Sequence, residues 1–336
     1  MAKKEGSDRN RVDPPLNRRQ FIKRLAGTSG LALGLGVGGA LVYSDKPIRR
    51  APEIIHTLND FRVPPSDHHP MMAVVRGSDA ETMVREAVAK LGGISRFISR
   101  GERVLLKPNV GWDRLPEQAA NTGPEVVGAV AKLCREAGAG EVWVTDVSLN
   151  DPYRSFARSG IEQSAIAAGA QVRIPGQADF WSTDLGGELL GVWPVSRFFH
   201  EVDRVINLPI IKNHSLCGCT LAMKNWYGVL GGRRNQLHQK IHTSIVDLAR
   251  AVRPTLTIMD GIRVLKENGP TGGSLSDVVM GHTVVAGLDE VAMDSFALGF
   301  LELTPEEIPF LTMAEKAGLG QVDWQGLNWT ESKINI

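Results

Sequence analysis

Four charged side chains stand at or just past the carboxyl ends of apolar runs that have the length of β-strands. These residues are Lys107, Asp146, Lys212 and Asp260. In an open α/β sheet the carboxyl ends of the parallel strands form the binding crevice. Loops are polar in general, so each residue taken alone has a structural explanation. As a set, the four side chains predict a polar binding site at one edge of a sheet.

Lysine and asparagine predominate among the residues that could bind a substrate there. Ammonium and side-chain amide groups suit a carboxylate or a phosphate. The structural alternative is that the lysines form salt bridges and the asparagines stabilise turns. The predicted substrate-binding residues are Lys107, Asn109, Lys212, Asn225, Asp146 and Asp260.

Lys224 is the strongest single candidate, because Lys224 and Asn225 lie in an otherwise apolar stretch between Met223 and Trp226. A charge in apolar surroundings needs a partner or a ligand. A lysine with like-charged neighbours can also have a lowered pKa and act as a base. We therefore place Lys224 among the catalytic candidates.

Three histidines are candidates for proton transfer or for metal binding. His238 and His242 are four residues apart and would share one face of a continuous helix, as paired metal ligands do. The residues between them include no carboxylate, so the zinc-protease pattern is absent. Two interpretations stay open. Either His238 and His242 bind a metal ion, or His214 and His238 act catalytically by moving a proton or hydrogen-bonding the substrate.

The three cysteines of the chain are Cys134, Cys217 and Cys219, too few for a disulfide framework. Their spacing is not that of a zinc ribbon or a ferredoxin cluster. Cys134 lies on the apolar face of its predicted helix and is expected in the core. Cys217 and Cys219 could bind a soft metal or form a redox pair, but packing beside Gly218 is the preferred interpretation.

The N-terminal region has the pattern of a twin-arginine export signal. Arg18 and Arg19 precede Phe21 and Lys23, and an uncharged stretch rich in Gly, Ala and Leu follows over residues 25–43. Because no clear small-x-small cleavage site follows, residues 1–45 are predicted to be a signal or an anchor. The expected partner is the twin-arginine translocase. The expected location is the periplasm or the outer face of the cytoplasmic membrane.

Apolar runs alternate with amphipathic segments from Ala73 onward, which predicts an α/β fold. We expect a linker over 46–72, one domain over 73–325 and a C-terminal tail over 326–336. The domain is predicted to have three layers, with a mainly parallel sheet and helices on both faces. Predicted strands cover 103–106, 142–145, 171–174, 204–208, 255–259 and 283–286. Residues 181–195 are predicted to form a hairpin, and helices are predicted to start at the capping boxes Ser78-x-x-Glu81 and Thr122-x-x-Glu125, with Asp289 as the N-cap of a later helix.

Composition and missing motifs exclude several classes of function. Lys and Arg number 38 against 37 Asp and Glu, a formal net charge of +1, so the chain has no overall field that would attract nucleic acid. A hydrophobic content of 43% is ordinary for a globular protein. The chain has neither the phosphate-loop pattern of nucleotide hydrolases nor the Gly-x-Ser-x-Gly elbow of α/β hydrolases.

Several motifs resemble the domain-of-unknown-function family numbered 362, in the same order along the chain. They are Leu106-Lys107-Pro108-Asn109, the stretch from Lys212 to Asp260, Glu267-Asn268-Gly269-Pro270, and the stretch from Ala286 to Asp294. The resemblance covers roughly residues 104–301. It implies that some relatives carry twin-arginine signals and that some are fused to ferredoxin-like modules with Fe–S clusters. This chain has no cluster-binding run of cysteines, so an intrinsic Fe–S cluster is not expected.

The leading hypothesis is an exported enzyme, of unknown reaction, that acts on a small anionic substrate. Lysines would hold the anion, and His214 or His238 would move a proton. One alternative is a metal- or Fe–S-associated accessory protein that serves a redox partner through Cys217, Cys219, His238 and His242. A second alternative is a noncatalytic protein that binds an anion.

Overall fold

Short apolar runs form the strands, and segments with apolar residues three and four apart form the helices. The computed structural model describes Arg19 and residues 54–334. The strands in these residues are β1 (His56–Thr57), β2 (Met72–Arg76), β3 (Arg103–Pro108), β4 (Glu141–Val144), β5 (Gln171–Val172), β6 (Phe180–Asp184), β7 (Val192–Ser196), β8 (Arg204–Leu208), β9 (Ile210–His214), β10 (Gly218–Thr220), β11 (Leu256–Leu265), β12 (Val278–Gly287) and β13 (Trp329–Lys333). The α-helices are α1 (Ala80–Lys90), α2 (Pro124–Glu136), α3 (Pro152–Arg158), α4 (Ile161–Ala167), α5 (Ala222–Asn225), α6 (Ile241–Ala251), α7 (Glu290–Ala297) and α8 (Pro309–Lys316).

The main sheet has the strand order β13-β2-β12-β11-β8-β3-β4-β5, with β9 beside β11 and β10 beside β9. The run from β11 through β8, β3 and β4 to β5 is parallel throughout. Among the described strands of this sheet, only β12 and β10 run antiparallel to their neighbours. The prediction of a mainly parallel sheet is therefore confirmed.

Both faces of this sheet are covered by helices, because its strands are apolar on both sides. In β3, Leu105 packs into the core on one face while Leu106 packs into the core on the other. The helices α1, α2 and α4 cover the face of Leu106. The helices α5 to α8 cover the face of Leu105. The three-layer α/β prediction is confirmed.

A second, smaller sheet has the order β1-β6-β7. Its antiparallel pair β6 and β7 is the hairpin predicted over residues 181–195. Strand β1 lies in the predicted linker, and Phe61 is buried in the core with its N–H donating to the carbonyl of Arg253. The linker prediction is therefore wrong from residue 54 onward, because the apolar residues of this segment have partners that lie far away in sequence.

The predicted C-terminal tail also contains a strand. Strand β13 pairs with β2 in parallel, from Trp329 opposite Met72 to Lys333 opposite Arg76. Its residues are mostly polar because it is the edge strand of the sheet. The tail prediction is therefore wrong, since an edge strand has no apolar run that marks it in the sequence.

Two helix starts differ from the predicted capping boxes, and a third agrees. The N-cap of α1 is Asp79, whose carboxylate accepts from the N–H of Thr82 at 2.7 Å. Helix α2 begins after Gly123, with no side-chain cap from the flanking residues. Asp289 is the N-cap of α7, as predicted, and accepts from the N–H of Ala292 at 3.0 Å.

Within residues 54–334, every helix is too short or too polar to cross a bilayer. The predicted signal lies outside the described residues, except for Arg19.

Candidate functional site

The carboxyl ends of β3 and β4 meet β9 and the short helix α5 around one cavity of about 310 Å³. Strand β3 leads into Asn109, β4 leads into Asp146, and α5 carries Lys224. The predicted site residues that line this cavity are Lys107, Asn109, Asp146, Lys212, His214, Lys224, Asn225 and His238. The topology therefore brings together eight of the ten residues that the sequence predicted for catalysis, substrate binding or metal binding.

Lys107 and Asp146 form a buried ion pair at the base of the cavity. The Nζ of Lys107 lies 2.6 Å from Oδ1 of Asp146 and also donates to the carbonyl of Pro108 at 2.8 Å and to Oδ1 of Asn225 at 3.1 Å. The other carboxylate oxygen of Asp146 accepts from the N–H of Val110 at 2.6 Å. All three protons of the ammonium have acceptors. Lys107 therefore holds Asp146 and Asn225 in place and has no N–H left to donate to a ligand.

Gly228 makes room for this ion pair. A Cβ at that position would lie 1.8 Å from Oδ1 of Asp146 and 2.5 Å from Nζ of Lys107. No side chain fits at such distances, so the pair requires glycine at residue 228.

A chain of side-chain amides connects the sheet interior to the cavity. Glu290 accepts from Nδ2 of Asn207 at 2.6 Å, and Oδ1 of Asn207 accepts from Nδ2 of Asn225 at 2.8 Å. Asn109 then donates from Nδ2 to Oδ1 of Asn225 at 3.0 Å and accepts from Nζ of Lys212 at 3.0 Å. Each amide has a donor on one side and an acceptor on the other, so the orientation of every group is fixed.

Lys224 is held by helix α5, whose first turn is anchored by Asp294. The carboxylate of Asp294 accepts from the N–H groups of Ala222 and Met223 at 2.7 and 3.1 Å. The Nζ of Lys224 lies 4.6 Å from the centre of the Tyr227 ring. Among the described residues this ammonium has no hydrogen-bond acceptor and no carboxylate partner, although the residue is only 6% exposed. Burial lowers the pKa of Lys224.

Lys212 is equally buried but differs in its partners. Its Nζ donates to Oδ1 of Asn109 at 3.0 Å and to the carbonyl of Ala120 at 2.5 Å, and no carboxylate within residues 54–334 pairs with it. Burial first, and then the charge of Lys224, lower the pKa of Lys212 to about 7.

His214 and His238 face each other with nearly parallel rings, whose centroids lie 6.4 Å apart. The Nδ1 of His214 accepts from the N–H of Leu216 at 3.2 Å, so the neutral ring carries its proton on Nε2. The Nδ1 of His238 donates to the carbonyl of Asn235 at 3.1 Å, which leaves a lone pair on Nε2. Burial and the charge of Lys224 lower the pKa of both rings, that of His214 to about 2. Both histidines are therefore neutral at pH 7, one as a donor and the other as an acceptor.

The structure adds two residues that the sequence predictions missed. The Oγ1 of Thr220 is buried at the cavity wall and has no hydrogen-bond partner among the described residues. Arg234 donates to the carbonyls of Tyr227 at 2.9 Å and Val147 at 2.7 Å and forms no ion pair in residues 54–334. Neither residue carries a sequence signal, because Thr220 is a single hydroxyl beside apolar residues and Arg234 is the second of two adjacent arginines in a polar segment.

Two predicted residues do not belong to this site. Asp260 is buried away from the cavity and accepts from the N–H of Gly123 at 2.7 Å and of Ile262 at 3.0 Å, so it anchors the start of α2. Burial raises the pKa of Asp260 to about 6. The prediction that Asp260 binds substrate is wrong, because the carboxylate serves two backbone donors instead.

The predicted metal pair is also wrong. Helix α6 begins only at Ile241, so His238 and His242 do not share a continuous helix, and the ring of His242 stacks on Phe310 at 6.1 Å. No group of three His, Cys, Asp or Glu side chains that could hold a metal ion occurs in the described residues. Cys217 and Cys219 are buried in the core, and burial raises the pKa of Cys217 to about 11. Packing is therefore the role that the structure gives to both thiols.

Charge and shape together characterise the cavity. Its lining includes four basic side chains, Lys107, Lys212, Lys224 and Arg234, against one carboxylate, that of Asp146. Its apolar lining residues include Trp112, Leu149, Leu216 and Pro270. The volume and the few convergent polar groups are those of a small-molecule site. The excess of positive charge selects for an anion.

Comparisons with known proteins find both a relative and distant structures. The chain is 30% identical over 244 residues to a thylakoid-associated protein of Synechocystis sp., across 70% of this chain and 74% of that protein. Two solved structures match at TM-scores of 0.38 and 0.40 with 12% and 11% identity. They are the lactate racemase apoprotein from Thermoanaerobacterium thermosaccharolyticum and a protein from Thermotoga maritima. The match covers 72% of this chain and 60% of each of those chains, and it carries no information on the chemistry of this site.

The family described as Domain of unknown function (DUF362) matches residues 104–299, which include every residue that lines the cavity. This range is more than half of the 336 residues. The resemblance inferred from the motifs is confirmed, and this chain belongs to the DUF362 family.

Proposed function

We propose that this protein is an exported enzyme that binds a small anionic substrate, a carboxylate or a phosphate, in the cavity and moves a proton on it. The observation that carries the proposal is Lys224, a residue that is only 6% exposed, that lines the cavity, and whose ammonium has no acceptor among the described residues. A buried charge without a partner is strongly unfavourable. An anion bound in the cavity supplies the missing counter-charge.

Other donors support the same ligand. The hydroxyl of Thr220 has no hydrogen-bond partner among the described residues. When Lys212 is charged, its ammonium has three protons but only two acceptors among those residues. His214 carries a proton on Nε2. All three residues line the cavity with Lys224. An anion with two or three oxygens can accept from several of these donors at once, and charge-assisted hydrogen bonds of this kind are strong.

Proton transfer follows from the two histidines. The Nε2 of His238 is an acceptor at neutral pH because its ring is uncharged and its Nδ1 donates to Asn235. It can therefore take a proton from a bound substrate, as a general base does. His214 donates from Nε2, and Lys224 stabilises the negative charge that develops when the proton leaves.

The test is a binding measurement on Lys224→Met. Isothermal calorimetry with acetate, oxalate, inorganic phosphate and phosphoenolpyruvate defines which anion the wild-type protein binds. We expect Lys224→Met to keep its circular dichroism spectrum and to lose at least about tenfold in affinity, since a hydrogen bond to a charged group contributes about 1.5–3 kcal/mol. Lys316→Met is the matched control, because Lys316 is exposed and does not line the cavity.

Wild-type affinity in folded Lys224→Met contradicts the anion site. Turnover separates an enzyme from a binding protein: incorporation of solvent deuterium into the C–H positions of acetate or phosphoenolpyruvate, detected by NMR, reports proton transfer. Binding without incorporation or any other product leaves a noncatalytic anion-binding protein, which is the second alternative named from the sequence.

We also propose that the chain is exported by the twin-arginine translocase and works in the periplasm or on the outer face of the cytoplasmic membrane. The support is the Arg18-Arg19 pair and the uncharged stretch after it. The Synechocystis relative is described as thylakoid-associated, which fits a protein that works at a membrane.

A further inference from the structure

Three buried lysines line the cavity, and they differ in the number and kind of their hydrogen-bond acceptors. Lys107 has three acceptors, one of them the carboxylate of Asp146. Lys212 has two, both neutral oxygens. Lys224 has none among the described residues. The comparison is informative because burial is almost the same for all three side chains.

The partners of Lys212 match an uncharged amine. A neutral amine has two N–H bonds and one lone pair, whereas an ammonium has three N–H bonds and no lone pair. The two acceptors, Oδ1 of Asn109 and the carbonyl of Ala120, take the two N–H bonds of a neutral amine. The remaining tetrahedral position has no acceptor within residues 54–334, so a lone pair can occupy it.

The charges around Lys212 favour the same state. The charged and titratable groups that line the cavity with it are Lys107, Asp146, Lys224, Tyr227, Arg234, His214 and His238. Only Asp146 is negative, and it already pairs with Lys107. Burial and the nearby charge of Lys224 thus bring the pKa of Lys212 close to neutrality. A lysine that is desolvated and lies beside another cation is the usual form of an activated amine nucleophile.

We propose that Lys212 forms an imine with the carbonyl carbon of a small oxo acid whose carboxylate pairs with Lys224. The Nζ lone pair attacks the carbonyl carbon and forms the C–N bond. The C–O bond then breaks, and the two amine protons leave with the oxygen as water. One amine and one carbonyl thus give one imine and one water, and no oxidant or reductant is needed.

Neighbouring residues are placed to assist this step. Thr220 lies opposite Lys212 in the pairing of β9 with β10, and its hydroxyl, unpartnered in the described part of the chain, can donate to the carbonyl oxygen. His214 is two residues further along β9, so its side chain leaves the strand on the same side as that of Lys212. This inference rests on the proposed anion site, because Lys224 must hold the carboxylate while Lys212 reacts.

The experiment traps the imine with glyoxylate, the smallest oxo acid, and sodium cyanoborohydride, which donates a hydride to the C=N bond. Peptide mapping by mass spectrometry then gives the ratio of the adduct on Lys212 to that on exposed Lys316, from pH 5 to 9. Because both lysines react in the same sample, the ratio removes the pH dependence of glyoxylate and cyanoborohydride themselves. At pH 7 the neutral fraction of an amine with a pKa of about 7 exceeds that of an ordinary lysine on the order of a thousandfold. We expect a ratio of at least about a hundred, with labelling of Lys212 rising through pH 7 and then levelling off.

Variants make the outcome specific. Lys224→Met is expected to slow labelling of Lys212 and to move its midpoint to higher pH, because a neighbouring positive charge is removed. Lys333→Met, at an exposed lysine that does not line the cavity, keeps Lys316 as the reference and is expected to leave both unchanged. Lys212→Arg is expected to form no adduct at residue 212 under conditions that give one adduct per wild-type chain, because a guanidinium stays charged and has no lone pair that attacks a carbonyl carbon.

The two proposals fail separately. Wild-type protein that binds acetate or phosphate, yet shows no preference for Lys212 between pH 7 and 9, overturns the imine and leaves the anion site intact. Protein that binds none of these anions overturns both proposals.

Discussion

Lys107, Lys212 and Lys224 have the same side chain and nearly the same burial, but they have three, two and no hydrogen-bond acceptors among the described residues. Chemistry at the scale of the residue thus depends on partners and not on residue type. Lys107 is fully engaged with Asp146 and two neutral oxygens, Lys224 lacks a counter-charge, and Lys212 lies between these extremes. Because of this difference in acceptors, we assign anion binding to Lys224 and nucleophilic attack to Lys212.

The ion pair of Lys107 and Asp146 leads to a prediction about Gly228. We expect Gly228→Ala to lower the free energy of unfolding by about 3 kcal/mol or more, because a methyl group would displace a buried ion pair. Urea unfolding followed by circular dichroism measures the change. Gly299→Ala is the control, since a Cβ there has no atom within 4 Å among the described residues. Equal stabilities of the two variants would contradict the role given to Gly228.

Helix α5 is the element that decides where Lys224 lies. It has only four residues, too few to be stable as an isolated helix. Asp294 on α7 binds its first two N–H groups, and Trp226 directly after it donates to Glu290 at 2.9 Å. The element therefore depends on α7 for its position.

This dependence predicts that Asp294→Ala lowers the free energy of unfolding by about 2 kcal/mol and also weakens anion binding, because α5 loses its anchor. Thermal unfolding and calorimetry with the anion that the wild-type protein binds measure the two effects. Asp323→Ala is the control, because Asp323 caps a short turn and does not line the cavity. Asp294→Ala with unchanged affinity would mean that α5 needs no anchor from α7.

At the scale of the whole molecule, the parallel run of the sheet explains the location of the cavity. The strands β8, β3 and β4 are parallel neighbours, so the segments after β3 and β4 leave the sheet at the same edge. Strand β9 and helix α5 cover this edge and supply the remaining lysines. The core on each face fixes the strands, and the segments that begin at their carboxyl ends form the site.

Export is a property of the whole chain and leads to a prediction about the arginine pair. We expect Arg18→Lys with Arg19→Lys to retain the protein in the cytoplasm, because the twin-arginine route reads this pair. Cell fractionation with immunoblotting measures the distribution. The control is Arg49→Lys with Arg50→Lys, a second arginine pair that no long uncharged stretch follows. Export of the Arg18 and Arg19 variant would exclude the twin-arginine route.

The sequence by itself determined the family, the α/β class and eight of the residues that line the cavity. These features are local: an apolar run of strand length ends in a charged residue at Lys107 and shortly before Asp146, and Lys224 is marked by its apolar neighbours. The backbone geometry of a parallel sheet then brings such strand ends together, so their proximity follows without knowledge of any contact.

Only the tertiary structure decided the role of Asp260, the separation of His238 from His242, and the presence of Thr220 and Arg234 in the site. Asp260 binds the N–H of a residue 137 positions away, and no local pattern reports such a partner. The same holds for the different acceptors of the three lysines. Hydrogen bonding of a buried group depends on which distant backbone and side-chain atoms the fold places beside it, and packing of the complete chain determines that.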